Sequence, residues 1–412
     1  MVLKEWEEFI YTCADRIWTQ IRSLVGNSHF DTMHPIWFLG TCLQSELTDS
    51  QTEEGLKKKF LERWMLCKWF SYKRNFPPLY DSEEKGEKKE DDSRRFITSD
   101  IGWGCMIRCG QMILYTALRR HYFSVNDQLS ADILISSSRT DDVERSSSGR
   151  VRNGQDHVAA RRVSLGDHVD TREMAAKKDL EILDAFRDDG ARLFSLHNIV
   201  KVGKRAFNLP VGSMYGSVHI SKCIQHILQD HEDIRALIFT NGCIYADQIE
   251  DVITNQEKSV LLLVPLHLGL QKLESRYVES IKDIMRIPYF AGILGGKTPQ
   301  SAVYYVGYQE DSLFYLDPHT VQTSGGKGEM FVSPHISTMN ISTIQPQMTM
   351  GFFLKDKKDM DKFRFMIEEF SSAEEEINAS HLVKIYDETP KPQNISPERL
   401  NDILCFSSDE DE

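Results

Sequence analysis

The chain has 412 residues, which is enough for one large enzyme domain or two ordinary ones. Hydrophobic residues make up 41% of it and aromatic residues 10%, so it can fill a core, which excludes a wholly disordered chain. The net charge of −13 argues against a nucleic-acid-binding protein, although such a total does not exclude a local basic face.

The sequence predicts neither secretion nor membrane insertion. Residues 1–9 are charged where a signal peptide carries its apolar stretch. The longest nearly unbroken apolar run, 260–270, is far shorter than the ~20 residues that a membrane span needs. We therefore expect a soluble, cytoplasmic protein. Its eight cysteines form no CxxC pair, so we expect mostly free thiols in a reducing compartment.

In the first half of the chain, apolar residues at helical spacing predict an amphipathic helix over 3–24 and a second helix over 56–72. Segment 81–94 has no apolar residue and predicts a solvated loop. A third helix is predicted to begin near Cys105. The chain then turns polar over 136–178, which predicts a disordered insertion or linker.

In the second half of the chain, the sequence predicts a small subdomain over about 180–256. The strands and helices that follow it are predicted to complete a single domain, 1–370. The predicted elements are a helix at 219–231, strands at 236–239 and 259–268, a helix at 273–285, a hairpin of 302–308 and 312–316, a strand at 350–354 and a helix at 357–370. Residues 371–412 hold 11 acids and 3 bases and predict a disordered, acidic tail. Helices first and hairpin strands later favour an α+β fold.

A first candidate site surrounds Cys105, which follows Gly102-Trp103-Gly104 and opens the third predicted helix. The partial positive charge of a helix N-terminus stabilises a thiolate, and the free N–H groups there can bind an oxyanion. The glycines would let a substrate backbone approach closely. A small buried cysteine explains the same pattern and is the commoner case. Cys109, one turn later, is expected to lie in the core.

A second candidate site is Asp317-Pro318-His319 at the end of the predicted hairpin. A proline favours extended geometry in its predecessor, and residues i and i+2 of an extended chain face the same side. An imidazole held by a carboxylate is the base that a cysteine nucleophile needs. The alternative is a turn whose polar groups cap the strand. Spacing alone does not bring either residue near Cys105.

A third pattern has ligand types that suit zinc. His219, Cys223 and His226 stand at i, i+4 and i+7 on one helical face. A fourth ligand at matching spacing is missing from the sequence. We therefore interpret the three as a partly buried helix face and expect neither a metal nor a cofactor.

Several blocks resemble the autophagin cysteine proteases, papain-like enzymes that process the ubiquitin-like autophagy modifier of the GABARAP type. The two family signatures are similar to 97–112, ITSDIGWGCMIRCGQM, and to 292–322, GILGGKTPQSAVYYVGYQEDSLFYLDPHTVQ. Shorter similarities lie at 34–40, 69–77 and 261–269, in family order. The resemblance implies a papain-like fold with a small inserted subdomain.

Carried over by position, the resemblance implies that Cys105 is the nucleophile, His319 the general base, Asp317 the residue that orients it, and Tyr72 a residue of the oxyanion site. It implies cleavage after the C-terminal glycine of the modifier. Two substrates follow, namely the precursor and the conjugate with phosphatidylethanolamine on autophagic membranes. The implied partners are the modifier and, through the lipidated substrate, the membrane, but no nucleic acid.

The resemblance also implies a narrow substrate channel. Trp103 would form its wall, and a flexible region of Gly295, Gly296 and Lys297 would lie over it as a regulatory loop. Two other hypotheses remain beside the specific protease. One is a catalytically silent protein that keeps the fold to bind the modifier, and the other is a papain-like peptidase of broad specificity.

Overall fold

The computed structural model of the chain describes residues 33–44, 53–80, 96–123, 174–325, 330–377 and 382–390. The helix predicted over 3–24 and the loop predicted over 81–94 lie outside the described residues. So do most of the predicted insertion and the last 22 residues of the predicted tail.

The described ranges contain both helices and strands. The helices are α1 (Glu53–Leu66), α2 (Cys105–Tyr122), α3 (174–184), α4 (Leu196–Phe207), α5 (Ser217–Ile227), α6 (Ala246–Glu250), α7 (Val278–Arg286) and α8 (Lys357–Ile377). The strands are β1 (Ile36–Phe38), β2 (Thr41–Cys42), β3 (Tyr72–Tyr80), β4 (Phe96–Ser99), β5 (Ile234–Ile238), β6 (Cys243–Tyr245), β7 (Ser259–His267), β8 (Phe290–Thr298), β9 (Ser301–Gln309), β10 (Ser312–Leu316), β11 (Val321–Thr323), β12 (Ser337–Asn340), β13 (Gln347–Leu354) and β14 (Lys384–Tyr386).

The main sheet has the order β12-β10-β9-β8-β13-β7-β5, with β1 paired to β9 and β2 paired to β1. Its neighbours are antiparallel except for β5, which runs parallel to β7. A smaller sheet joins β11, β3 and β4, and β14 pairs with β6. Mixed helices and largely antiparallel strands confirm the predicted α+β class.

The sheet separates two hydrophobic cores, as the residues of β7 show. Leu261 and Leu263 face the core that contains the side chains of α1, α2, α4 and α5. Val260, Leu262 and Val264 face the core that contains those of α7 and α8. Because alternate residues of a strand point to opposite faces, the two cores lie on the two sides of the sheet. A strand that is covered on both faces reads as the continuous apolar run seen in the sequence.

Helix α2 is central to the fold. Its residues 105–118 are all buried, and the helix packs on β8 and β9. Gly351 of β13 lets that strand approach α2 as well, since a Cβ at that position would lie 2.4 Å from Cδ1 of Ile113. A helix that is buried on all sides has little freedom to shift. The N-terminus of α2, where Cys105 lies, is therefore fixed against the sheet.

The second helix is shorter than the predicted 56–72. Helix α1 ends at Leu66, and Tyr72 begins β3 instead of ending a helix. The backbone N–H groups of Trp69 and Tyr72 donate to the carbonyls of Phe331 and Pro318, each at 2.7 Å. These bonds to distant segments replace the helical bonds that the local apolar pattern suggested.

Two other boundaries also differ from the prediction. Residues 174–178, predicted as the end of a disordered insertion, already belong to α3. Part of the predicted disordered tail is ordered, because α8 continues to Ile377 and β14 pairs with β6. Leu382 and Val383 are buried in the core shared with α8. The acidic composition of 371–412 as a whole led to a prediction of disorder despite this short apolar run.

The segment predicted as a small subdomain, about 180–256, is folded and continuous with the rest. Helices α4 and α5 pack into one core, and α6 packs into the other. Strand β5 extends the main sheet. Within the described ranges, no helix combines the length and apolar character needed to cross a bilayer.

Candidate active site

Cys105 is the first residue of α2 and is 3% exposed. The chain reaches it through a tight turn in which the N–H groups of Trp103 and Gly104 donate to the carbonyl of Asp100, at 3.2 and 2.9 Å. Gly102 has φ +85°, which glycine adopts without strain. The turn thus delivers the Cys105 thiol to the positive end of a buried helix, where a thiolate is stabilised.

Asp317 and His319 meet directly after β10. The Nδ1–H of His319 donates to Oδ1 of Asp317 at 2.5 Å, and the backbone N–H of His319 donates to the same oxygen at 3.0 Å. The sequence predicted that the two side chains share a side of an extended chain. The structure instead forms a turn in which the Asp317 side chain accepts from the backbone two residues on. The carboxylate, not strand alternation, holds the imidazole.

The structure brings the Cys105 thiol into hydrogen-bond contact with the His319 imidazole. Because Asp317 takes Nδ1, Nε2 is the ring atom left for the thiol. The resulting order, Asp317 to His319 to Cys105, is the arrangement of a cysteine nucleophile with an oriented base.

The titration behaviour of this pair follows from its contacts. Burial raises the pKa of the Cys105 thiol, but hydrogen bonds from His319, from the Ala302 N–H and from the Tyr72 hydroxyl outweigh burial and lower the pKa overall. Hydrogen bonds to Asp317 and then to Cys105 raise the pKa of His319 to about 9. The pair is therefore thiolate and imidazolium over a range of pH that ends near 9.

Tyr72 opens β3 and places its hydroxyl at the Cys105 thiol, while the N–H of Gly102 donates to the same hydroxyl oxygen. Its ring lies edge-on to His319, with centroids 5.2 Å apart. Burial and the neighbouring charge of Cys105 raise the pKa of Tyr72, which keeps the hydroxyl protonated. This hydroxyl can donate to Sγ or to an oxyanion formed beside it.

The beginning of β9 also reaches the site, which was not predicted from the sequence. Ser301 Oγ lies 3.3 Å from Nε2 of His319, and the N–H of Ala302 donates to Sγ of Cys105. Thr298 pairs with Ser301 to close the turn between β8 and β9. The tip of this hairpin therefore contacts both the thiol and its base.

Comparison with known proteins identifies the family. The model of the peptidase C54 catalytic domain matches residues 57–365, a range that includes Cys105, Asp317 and His319. The chain belongs to the peptidase C54 family, the autophagin cysteine proteases.

Relatives from distant organisms are similar over most of their length. Cysteine protease ATG4C of Xenopus laevis is 26% identical over 378 residues, which cover 82% of this chain and 80% of that protein. Cysteine protease ATG4A of Oryza sativa subsp. japonica is 28% identical over 398 residues, covering 87% of this chain and 72% of that protein. Cysteine protease ATG4 of Kluyveromyces marxianus is 32% identical over 277 residues, which cover 65% of this chain and 52% of that protein.

In this autophagin, the predicted regulatory loop is a strand. Gly295, Gly296 and Lys297 belong to β8 and not to the loop that was predicted. The carbonyl of Gly296 accepts from the N–H of Gln345 at 2.9 Å, and Gly295 pairs with β9 and β13. Glycines mark loops in sequence, but here they admit neighbouring side chains that a Cβ would displace, notably Gln345 against Gly296.

Lys297 and Trp103 both lie close to catalytic candidates. The register of β8 shifts at Lys297, and its Nζ lies 3.9 Å from Oδ2 of Asp317 and 5.4 Å from the ring centroid of Tyr315. Trp103 is buried two residues before Cys105, with its indole N–H donating to the carbonyl of Ser99 at 2.9 Å. Lys297 therefore adjoins the carboxylate, and Trp103 is fixed in the turn two residues before Cys105.

The zinc-compatible trio does not converge. Cys223 is buried in the core, whereas His219 and His226 are exposed. Nδ1 of His219 accepts from the N–H of Gly216, at the start of α5, and His226 contacts the ring of Phe207. Among the described residues, no cluster of three His, Cys, Asp or Glu side chains has the geometry of a metal site.

Proposed function

We propose that this autophagin is a thiol protease that cleaves after the C-terminal glycine of a ubiquitin-like autophagy modifier of the GABARAP type. Cys105 is the nucleophile, His319 the general base and acid, and Asp317 the residue that orients the imidazole. The observation that carries the proposal is the hydrogen-bonded series from Asp317 through His319 to Cys105, together with the lowered pKa of the thiol. Family membership supports the reaction class.

The chemistry takes two steps. The Cys105 thiolate attacks the carbonyl carbon of the glycine, and the carbonyl oxygen takes up the negative charge within reach of the Tyr72 hydroxyl. The C–N bond breaks as the Nε2–H of His319 protonates the leaving amine, which leaves a thioester. Water then attacks the thioester as His319 accepts its proton, and the thiolate is released with the modifier carboxylate.

The burial of the site supports a glycine substrate. The thiol is buried at the β8–β9 hairpin tip, and Trp103, two residues before it, is buried as well. A chain without side chains at the cleaved end fits such a restricted approach most easily. Gly295, Gly296 and Lys297 lie in β8, one strand of this hairpin, and Lys297 adjoins Asp317.

Both expected substrates contain the same reacting bond. In the precursor the leaving amine belongs to the next residue, and in the lipid conjugate it belongs to phosphatidylethanolamine. We therefore propose that Cys105 both processes the precursor and removes the lipid from the conjugate. In this account the protease works from the cytoplasm and contacts the autophagic membrane through its lipidated substrate.

The test uses the full chain and a GABARAP-type modifier extended beyond its terminal glycine. Intact mass spectrometry should find a product that ends at that glycine, and vesicles carrying the modifier linked to phosphatidylethanolamine should release the same product. Cys105→Ala should abolish both products while modifier binding persists. Cys243→Ala, which removes a partly exposed free thiol, serves as the matched control and should cleave normally.

Three outcomes would overturn the proposal. The first is unimpaired cleavage by Cys105→Ala. The second is modifier binding by the wild-type chain without any cleavage, which would indicate a silent binding protein. The third is digestion of an unstructured casein as fast as the modifier, which would indicate a peptidase of broad specificity.

A further inference from the structure

A cluster of three ionised side chains is buried beside the Cys105 turn. Arg108, one turn into α2, is 1% exposed, and its Nε donates to Oδ2 of Asp100 at 2.7 Å. Its two terminal nitrogens donate to the carboxylate of Asp188 at 2.9 and 3.1 Å. The charges of the two carboxylates outweigh burial and raise the pKa of Arg108, so the guanidinium is charged.

Such a cluster adds little stability on balance, because removing three charges from water costs about as much as their attraction returns. Apolar side chains of similar volume would fill this space at no greater cost. What the charges add is directional bonding, since a carboxylate and a planar guanidinium fix each other's orientation.

Asp100 connects the parts that hold the thiol. Its Oδ1 accepts from the N–H of Lys73 at 2.6 Å, directly after Tyr72 on β3, and its Oδ2 accepts from Arg108 on α2. Its backbone carbonyl accepts from the turn that precedes Cys105. One residue therefore bonds to the strand that carries the Tyr72 hydroxyl, to the turn and to the helix that Cys105 begins.

The turn is packed directly on this carboxylate. A Cβ placed on Gly104 would lie 2.5 Å from Oδ2 of Asp100, so the Cα of Gly104 rests against the side chain. The position of Cys105, the next residue, thus depends on where the Asp100 carboxylate sits.

We propose that Asp100 is a positioning residue for the reaction at Cys105, which with Arg108 fixes the 101–104 turn so that the thiol reaches both His319 and Tyr72. The inference rests on the proposed role of Cys105 as nucleophile. Asp100 contacts neither the substrate nor the thiol, and it acts through the turn and through Lys73.

Asp100→Asn is the informative substitution, because it preserves shape and changes only charge and donor pattern. One amide atom can still accept from Lys73, but the amide nitrogen then faces the Nε–H of Arg108, donor against donor. The turn must shift to relieve this contact. Cys105 would then lose part of its hydrogen bonding to His319 and Tyr72, and its pKa would rise toward that of an ordinary thiol.

Asp179→Asn is the matched control. Asp179 accepts from Tyr115 on the same helix, α2, and pairs with Lys68 at 3.1 Å. Its replacement removes a carboxylate of α3 that pairs with the far half of α2, and it leaves the turn at Cys105 untouched.

The readout is the rate at which iodoacetamide alkylates Cys105 between about pH 5 and 10, followed by peptide mass spectrometry, which separates Cys105 from the other thiols. The groups that face this thiol are His319 and Tyr72, with Asp317 behind the imidazole and Cys109 further along α2. None of them is altered in either variant. Because no substrate is used, the measurement does not depend on the identity of the modifier.

In the wild-type protein, the alkylation rate of Cys105 should inflect at a lower pH than that of an ordinary thiol. Asp100→Asn should raise this inflection by about one pH unit. On the extended modifier, Asp100→Asn should lower kcat at least about tenfold and change KM by less than about twofold. Asp179→Asn should keep the wild-type inflection and kcat even where its unfolding temperature falls. Should Asp100→Asn not fold, Arg108→Lys, which keeps the charge but loses the paired bonds, should shift the inflection in the same direction.

The inference is overturned if a folded Asp100→Asn protein alkylates with the wild-type pH inflection, or if Arg108→Lys does so where Asp100→Asn does not fold. An equal shift of the inflection in Asp179→Asn also overturns it. The proposed function fails separately, if the wild-type thiol at Cys105 titrates like an ordinary cysteine and no modifier is cleaved.

Discussion

The indole Nε1–H of Trp69 donates to the backbone carbonyl of Asp317 at 2.7 Å, across 248 residues of sequence. Three residues on, the N–H of Tyr72 donates to the carbonyl of Pro318, also at 2.7 Å. One short segment therefore holds the turn that carries Asp317 and His319 and delivers the Tyr72 hydroxyl to Cys105. Backbone contacts, and not the reacting side chains alone, preorganise the site.

Removal of the indole N–H should weaken catalysis more than folding. Trp69→Phe keeps most of the buried ring but loses the bond to Asp317, so the turn gains freedom and kcat should fall about three- to tenfold. Trp64→Phe is the matched control, because the buried Trp64 indole also donates to a backbone carbonyl, that of Ser333, at 3.1 Å. Steady-state cleavage of the extended modifier and thermal unfolding would be measured for both variants. Equal losses of kcat in the two would contradict a specific role for Trp69.

The pH dependence of cleavage should report the Cys105–His319 pair. As pH falls, protonation of the Cys105 thiolate should reduce kcat/KM, and the inflection should lie below the ordinary thiol value of 9.0 because the pKa is lowered. As pH rises, loss of the His319 proton should produce a second inflection at about 9.

Asp317→Asn distinguishes the acid limb of the pH profile, assigned to Cys105, from the alkaline limb, assigned to His319. The hydrogen bond that His319 donates to Asp317 is the largest cause of the raised His319 pKa, so its weakening should move the alkaline inflection to lower pH. The raised pKa also stabilises the fold at pH values below 6.5, a contribution that is lost as pH rises through about 9 and should be smaller in Asp317→Asn. Asp311→Asn, at the β9–β10 turn, weakens an ion pair with Lys282 and not with His319, so it should leave the alkaline inflection unchanged. A fixed alkaline limb in Asp317→Asn would argue against His319 as its source.

Tyr72→Phe should lower kcat on the order of 10²-fold, with little effect on KM, because it removes one donor to the charge that develops in the transition state. The ring and its edge-on contact with His319 are retained. Tyr80→Phe, at the exposed end of the same strand, is the control and should behave as wild type. Stopped-flow or progress-curve kinetics on the extended modifier would measure both. A KM effect without a kcat effect would assign Tyr72 to binding instead.

The segment after α8 should be part of the folded domain. Leu382 is buried in the core shared with α8, so Leu382→Ala should lower the free energy of unfolding by about 2–3 kcal/mol. Lys384→Ala, at an exposed position of β14, should change it by less than about 0.5 kcal/mol. Urea unfolding at equilibrium measures both values. Equal stabilities of the two variants would show that 382–390 lies outside the cooperative unit.

Local signals in the sequence predicted the elements that depend on local chemistry. The Gly102-Trp103-Gly104 turn and the apolar spacing after it predicted a helix that begins at Cys105, and α2 begins there. The apolar run of β7 and the hairpin of β9 and β10 were predicted for the same reason. The proximity of His319 to Cys105 came only from the family resemblance, because spacing carries no information on tertiary contact.

The features that the sequence did not predict depend on distant partners. Trp69 stands in an aromatic run that fits a helix or a strand, and its role appears only with the carbonyl of Asp317. Asp100 and its partner Arg108 belong to one sequence block, but Asp188, which also accepts from Arg108, lies far along the chain. Strand β14 was missed because its partner β6 lies about 140 residues earlier and because the acidic residues around it dominate the composition.

The proposed function depends above all on attack by Cys105 on the terminal glycine carbonyl of the modifier. The most direct measurement uses a GABARAP-type modifier whose terminal glycine carries a thiol-reactive group, followed by peptide mapping of the covalent adduct. A single adduct should form on Cys105, and it should form slowly in His319→Ala and be absent in Cys105→Ala. An adduct on another thiol with Cys105 unmodified, or no adduct at all, would contradict the proposed function.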